Sequence, residues 1–157
     1  MNFYQELGPL VFGTRLKRIS DYFLSEINKV YTDLDIPFEA SWFGVFYLLD
    51  KHGSLSIYEI ADTLEVSHSA ISQLIKTLQE KKLVILTPSS DDGRRKDIEF
   101  SMTGKALLEK IKPVWSALSQ TMNTFLEESE VLQKLIKIED RFGEIPLNER
   151  IKSKINV

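Results

Sequence analysis

The chain has 157 residues, 43% of them hydrophobic, with 20 lysines and arginines against 23 aspartates and glutamates and a formal net charge of -3. That length suits one domain with a sizeable core, and the lack of any cysteine excludes disulfides, thiolate zinc sites and thiol redox sensing. No charged n-region precedes an apolar segment and no run of about 18 apolar residues occurs, so the expectation is a soluble cytoplasmic protein without a membrane partner.

Residues 3–34 read as an amphipathic helix, with Phe12, Leu16, Ile19, Phe23, Ile27, Val30 and Leu34 on one face and Gly8-Pro9 interrupting its start. A second helix, from about Glu39 to Lys51, carries Trp42, Phe43, Val45, Phe46, Tyr47, Leu48 and Leu49 and is expected to be buried on several sides. His52-Gly53 ends it, glycine at the cap and an imidazole at the negative pole. Ser56-Ile57-Tyr58-Glu59 is a capping-box pattern that opens a helix with core residues Ile57, Ile60, Ala61 and Leu64. Glu65-Val66 makes a turn, Ser67 caps the next helix, and that helix is expected to run to Lys82. Its faces are distinct: Ile71, Leu74, Ile75 and Leu78 on one side, Ser69, Ser72, Gln73 and Lys76 on the other.

Leu83–Thr87 has strand composition, and residues 97–102 alternate with Ile98, Phe100 and Met102 on one face, so the two runs are expected to form an antiparallel hairpin. The connection between them, SSDDGRRK, is long and polar and extends outward. Thr103 is expected to cap a long fifth helix interrupted by Pro113, and a sixth is expected from about Glu130 to Phe142, stopped by Gly143 and followed by a short tail.

Two helices joined by a tight turn, the second with a polar outer face, followed by a basic hairpin, suggest a winged helix-turn-helix. The fold class is therefore mainly α with a small β-hairpin wing. Charge distribution agrees. Between Ser67 and Lys96 six cations (Lys76, Lys81, Lys82, Arg94, Arg95, Lys96) face three carboxylates, giving +3, so the remainder carries -6. Such polarity directs one face toward phosphate. Gln73 can pair bidentately with adenine, Ser69 and Ser72 can donate or accept, Lys76 can reach guanine or phosphate, and Ser67 and His68 stand at a helix N-terminus suited to phosphate, His68 being alternatively an exposed first-turn residue without a partner. Ser67, His68, Ser69, Ser72, Gln73, Lys76, Arg94, Arg95 and Lys96 are thus the candidate DNA-binding residues. The apolar stripes of the first and last helices exceed what a winged-helix core covers, which points to a homodimer on an inverted repeat. A larger monomeric core is the alternative.

These residues resemble the MarR family of bacterial transcriptional regulators. The stretches that carry the likeness are WFGVFYLLDKHGSLSIYEIADTLEVSHSAISQLIKTLQEKKLV, the DDGRRK of the hairpin and SMTGKALLEK after it. The resemblance implies one chain over 1–157, with dimerisation helices in 1–35 and 104–157 and the winged helix-turn-helix in 36–103. It implies that 67–82 enters the major groove of a palindromic operator and that wing 89–96 meets the minor groove, with Asp92 bracing Arg94. Either Arg94 or Lys96 takes the wing-tip role. It further implies release by a small aromatic effector, for which Phe12, Trp42, Phe46 and Trp115 are the candidate lining, as well as the alternative that these rings are core. His52 and His68 lack metal-type spacing and no nucleophile–base set or glycine-rich phosphate loop occurs, so neither enzyme nor cofactor nor metal is expected. A winged-helix protein-interaction module without DNA binding is the rival.

Overall fold

The computed structural model describes residues 3–88, 96–127 and 129–155. They form two compact units, residues 1–113 and 114–157.

In the first unit, α1 (Phe3–Glu6) and a 3-10 turn (Gly8–Val11) precede α2 (Phe12–Asp33), so Gly8-Pro9 does break the first helix. The expected second helix starts later and more tightly: a 3-10 turn at Ala40–Trp42, whose Ala40 N–H donates to Asn28 Oδ1 at 2.7 Å, leads into α3 (Phe43–His52). Gly53, at φ 79°, accepts the left-handed exit from α3. Val45, Phe46, Leu48 and Leu49 of α3 are buried, but Phe43 and Tyr47 stack on each other at 5.6 Å on an exposed face, so this helix is core on one side only.

The buried aromatic residues of the first unit pack around Phe38. Its ring meets Tyr31 at 4.9 Å, Trp42 at 5.6 Å and Phe46 at 5.0 Å, all near-perpendicular, and Phe46 continues to Phe100 at 4.9 Å. Edge-to-face packing matches positive ring edges to negative faces and adds to the burial of large apolar area.

After Gly53 the chain forms β1 (Ser54–Ser56), a strand not expected from sequence. It is followed by α4 (Ile57–Leu64), α5 (His68–Glu80), β2 (Val84–Pro88) and β3 (Lys96–Phe100). The sheet order is β1-β3-β2, with both pairings antiparallel: Leu55 lies opposite Ile98, Leu86 opposite Ile98 on the other side, and Pro88 opposite Lys96. The hairpin is thus a three-stranded sheet with β3 central. Pro88 is tolerated because β2 is an edge.

The capping box is formed. Ser56 Oγ accepts from the Glu59 N–H at 3.2 Å, and the Glu59 carboxylate accepts from the Ser56 N–H at 2.8 Å and its hydroxyl at 2.6 Å. Ser56 is only 4% exposed, so water cannot substitute for the lost acceptor in Ser56→Ala. That substitution is expected to cost about 1–2 kcal/mol of unfolding free energy in urea titration. A shift below a few tenths would show that the cap is not holding α4.

α6 (Met102–Leu126) begins two residues earlier than expected, because Ser101, not Thr103, caps it: Ser101 Oγ accepts from the Gly104 N–H at 2.9 Å. The chain turns helical at Met102, which leaves that side chain 82% exposed and out of the expected strand face. Lys112 of α6 reaches Asp50 at 3.1 Å and Glu109 at 3.3 Å, and these carboxylates, Asp50 foremost, hold its ammonium above the usual lysine range.

In the second unit, α7 (Val131–Glu144) runs through Gly143 and is followed by a further helix, α8 (Leu147–Ile155), where a tail was expected. Gly143 need not cap because Arg150 does: its Nε donates to the Ile145 carbonyl at 3.0 Å and Nη2 to the Arg141 carbonyl at 2.7 Å.

Candidate nucleic-acid interface

α4 and α5 pack against each other across a tight turn. Glu65 makes that turn in the left-handed region, φ 53°, and the Val66 N–H returns to the Ala61 carbonyl at 3.0 Å. Ser67 then caps α5, its hydroxyl accepting from the Ala70 N–H at 3.2 Å. The helix is two residues shorter than expected: it ends at Glu80 with Lys81 as its cap, and Lys82 turns the chain at φ 59°. The Lys82 carbonyl accepts from Ser101 Oγ at 2.6 Å, which ties the exit of α5 to the entrance of α6.

α5 buries Ile71, Ile75 and Leu78 and half-buries Leu74, as its apolar spacing requires. Ser67, His68, Ser69, Ser72, Gln73 and Lys76 are all exposed. Among the described residues, no hydrogen bond or ion pair uses the side chains of Ser69, Ser72, Gln73 or Lys76. A helix with free polar side chains on one face, held by a buried apolar stripe on the other, can offer those groups to base edges without giving up internal bonds.

His68 differs. Its Nε2 lies 3.3 Å from Asp62 Oδ1, and its ring meets Tyr58 edge-on at 4.4 Å. Sequence reading left both partners out. Tyr58 and Asp62 are four residues apart on α4, so they share one face of it, and that spacing was the available signal.

Of the basic hairpin residues, Lys96 opens β3 opposite Pro88 and is exposed. Asp92, Arg94 and Arg95 lie outside the described residues. Thr87 Oγ1 donates to Glu99 Oε1 at 2.9 Å across the β2–β3 pair, so that carboxylate on the hairpin is engaged by its neighbour.

The aromatics considered for an effector have other uses in the first unit. Trp42 is 3% exposed beneath the Lys81 ammonium, 5.5 Å from its ring centre, and Phe46 is fully buried against Phe38 and Phe100. Phe12 is partly exposed on α2, and Trp115 belongs to the second unit, half-buried. No described helix is long and apolar enough to cross a membrane, and the described residues hold no group of three or more metal-type side chains.

Residues 34–95 match the model of the MarR family. The transcriptional repressor MdtR of Bacillus subtilis (strain 168) is 34% identical over 85 residues, 54% of this chain and 55% of MdtR, so the match spans about half the length of that relative. The transcriptional repressor IacR of Pseudomonas putida is 27% identical over 129 residues, 74% of this chain and 75% of IacR. Among solved structures, a mutant MarR from E. coli complexed with operator DNA superposes with a TM-score of 0.69 at 21% identity, covering 87% of this chain and 97% of that one.

Proposed function

The chain belongs to the MarR family of winged helix-turn-helix proteins, and from that premise we propose that it is a DNA-binding transcriptional regulator acting as a repressor. The observation that carries the reading is the exposed polar face of α5, Ser69, Ser72, Gln73 and Lys76, unbonded among the described residues and fixed by a buried apolar face. α5 enters the major groove; the hairpin connection, with Arg94 and Arg95, and Lys96 at its base bind phosphate near the minor groove.

The active form is a homodimer on an inverted repeat with half-sites about 34–36 Å apart or a multiple of that. Supporting this, Phe12, Leu16 and Ile19 are exposed along α2, as are Leu132, Ile136, Phe142 and Ile151 in the second unit. Apolar stripes of that length in water favour a second copy. The test is selection of duplexes from random DNA. The expected product is a palindrome bound in a salt-sensitive way, with random duplex bound far more weakly. Equal binding of all duplexes would remove the specific regulator, and no binding at all would leave the wing as a protein-interaction module.

Gln73→Ala is expected to cost about 1–3 kcal/mol on the selected site and to relax preference at one base position. A footprint that weakens equally at every position would refute the base contact.

A small aromatic effector fits this reading as a releasing ligand, provided it binds the non-DNA-binding arrangement better; equal affinity for both shifts nothing. Of the candidate rings in the first unit Phe12 is the accessible one, since Trp42 and Phe46 would have to leave the core. A thermal-stability screen with phenolic compounds, followed by DNA release, tests it, and binding without release would mean a fortuitous cavity.

A further inference from the structure

We infer that His68 is a proton-taking phosphate contact, held ready by Asp62 and Tyr58, so that DNA binding is tighter at lower pH. The inference rests on the reading of α5 as the DNA-facing helix. His68 opens α5 beside the capping Ser67, and its side chain is 48% exposed, covered on one side by the Tyr58 ring at 4.4 Å and the Asp62 carboxylate at 3.3 Å. The Asp62 side chain is itself 78% exposed.

A free carboxylate at the edge of a DNA-facing helix is unfavourable, because approaching phosphate repels it. A neutral imidazole leaves that repulsion in place. A charged one lies between two anions, Asp62 and the phosphate, and is attracted by both. Histidine is the side chain that can take or release a proton between about pH 5 and 8. The bound state therefore holds more protons than the free state, and affinity must rise as pH falls.

The other charged groups nearby are few. On α4, Glu59 is turned back into its capping box with Ser56, leaving Tyr58 and Asp62 on the ring. Glu65 lies in the turn before Ser67, and α5 itself carries Lys76 and Glu80 two or more turns further on. β2, the other element packed closely on α5, contains no titratable side chain.

The experiment measures binding of the full chain to mixed-sequence duplex DNA at low, constant ionic strength from pH 8 to pH 6, since phosphate contacts do not depend on sequence. The wild type is expected to bind about 10-fold more tightly at pH 6 than at pH 8, given one imidazole per subunit of a dimer. His68→Gln, which keeps a polar side chain but cannot take the proton, is expected to vary less than about 2-fold over the same range. His52→Gln, at the end of α3, should keep the wild-type profile. Asp62→Asn should bind more tightly than wild type at pH 8, because the repelling charge is gone. A circular-dichroism melt checks that each variant is folded. Wild-type pH dependence retained in a folded His68→Gln, or a flat wild-type profile, would overturn the inference while leaving DNA binding intact. Failure of the wild type to bind any duplex across this range would overturn both.

Discussion

Replacing Arg94 and Arg95 with glutamine is expected to flatten the dependence of log affinity on log salt by about 2–4 units, equally for all DNA sequences. The reasoning is counterion release. Each cation that neutralises a phosphate frees about 0.9 condensed ion, so Arg94, Arg95 and Lys96, doubled in the proposed dimer, are expected to give a slope of about -5. Doubling the salt then weakens binding roughly 40-fold. The two arginines account for four of the six wing cations. The register supports choosing them: Lys96 opens β3 opposite Pro88, at the end of the paired ladder, while Arg94 and Arg95 belong to the connection beyond it. Measuring affinity by fluorescence anisotropy at four or more salt concentrations decides the matter. An unchanged slope would remove the wing from the mechanism.

Gly104→Ala is expected to destabilise the first unit by about 3 kcal/mol, the upper end of the usual cost of overpacking. A Cβ at this position would lie 1.9 Å from the Leu83 carbonyl oxygen and 3.1 Å from the Phe100 ring. The first neighbour is backbone and cannot rotate away. It is also committed, because the Leu83 carbonyl accepts from the Ser101 N–H at 3.0 Å. To admit the methyl group, the start of α6 must separate from the chain between α5 and β2. The midpoint of urea unfolding should fall accordingly, and on the proposed function DNA affinity should fall with it, although Gly104 is buried. An unchanged midpoint would show that the two segments can part freely.

The parts legible in sequence were those whose causes are local. The Ser56–Glu59 box, the Ser67 cap and the two faces of α5 all follow from side chains within one or two turns of each other, and the structure realises each. The misses have remote causes. Ser54–Ser56 has no strand pattern of its own and extends only because Ser54 faces Glu99 and Ser56 faces Asp97, more than forty positions away. Met102 continued the alternation of β3, yet Ser101 bonds to both Lys82 and Gly104 and turns the chain two residues sooner. Gly143 lost its stopping role to Arg150, seven positions later. His68 was legible as an exposed residue, but its partners required knowing how α4 meets α5.

The central place of β3 in the sheet has a consequence for how such a regulator diversifies. The strand is held on both flanks, and its first residue, Lys96, pairs with Pro88 at the end of β2. Doubling the length of a connection between paired strands costs only about 0.6 kcal/mol in closure entropy. Insertions and deletions in residues 89–95 therefore leave every paired rung in place and are expected to cost little stability. On the proposed function the base-reading helix lies elsewhere in the chain, so target choice and grip strength are separable traits.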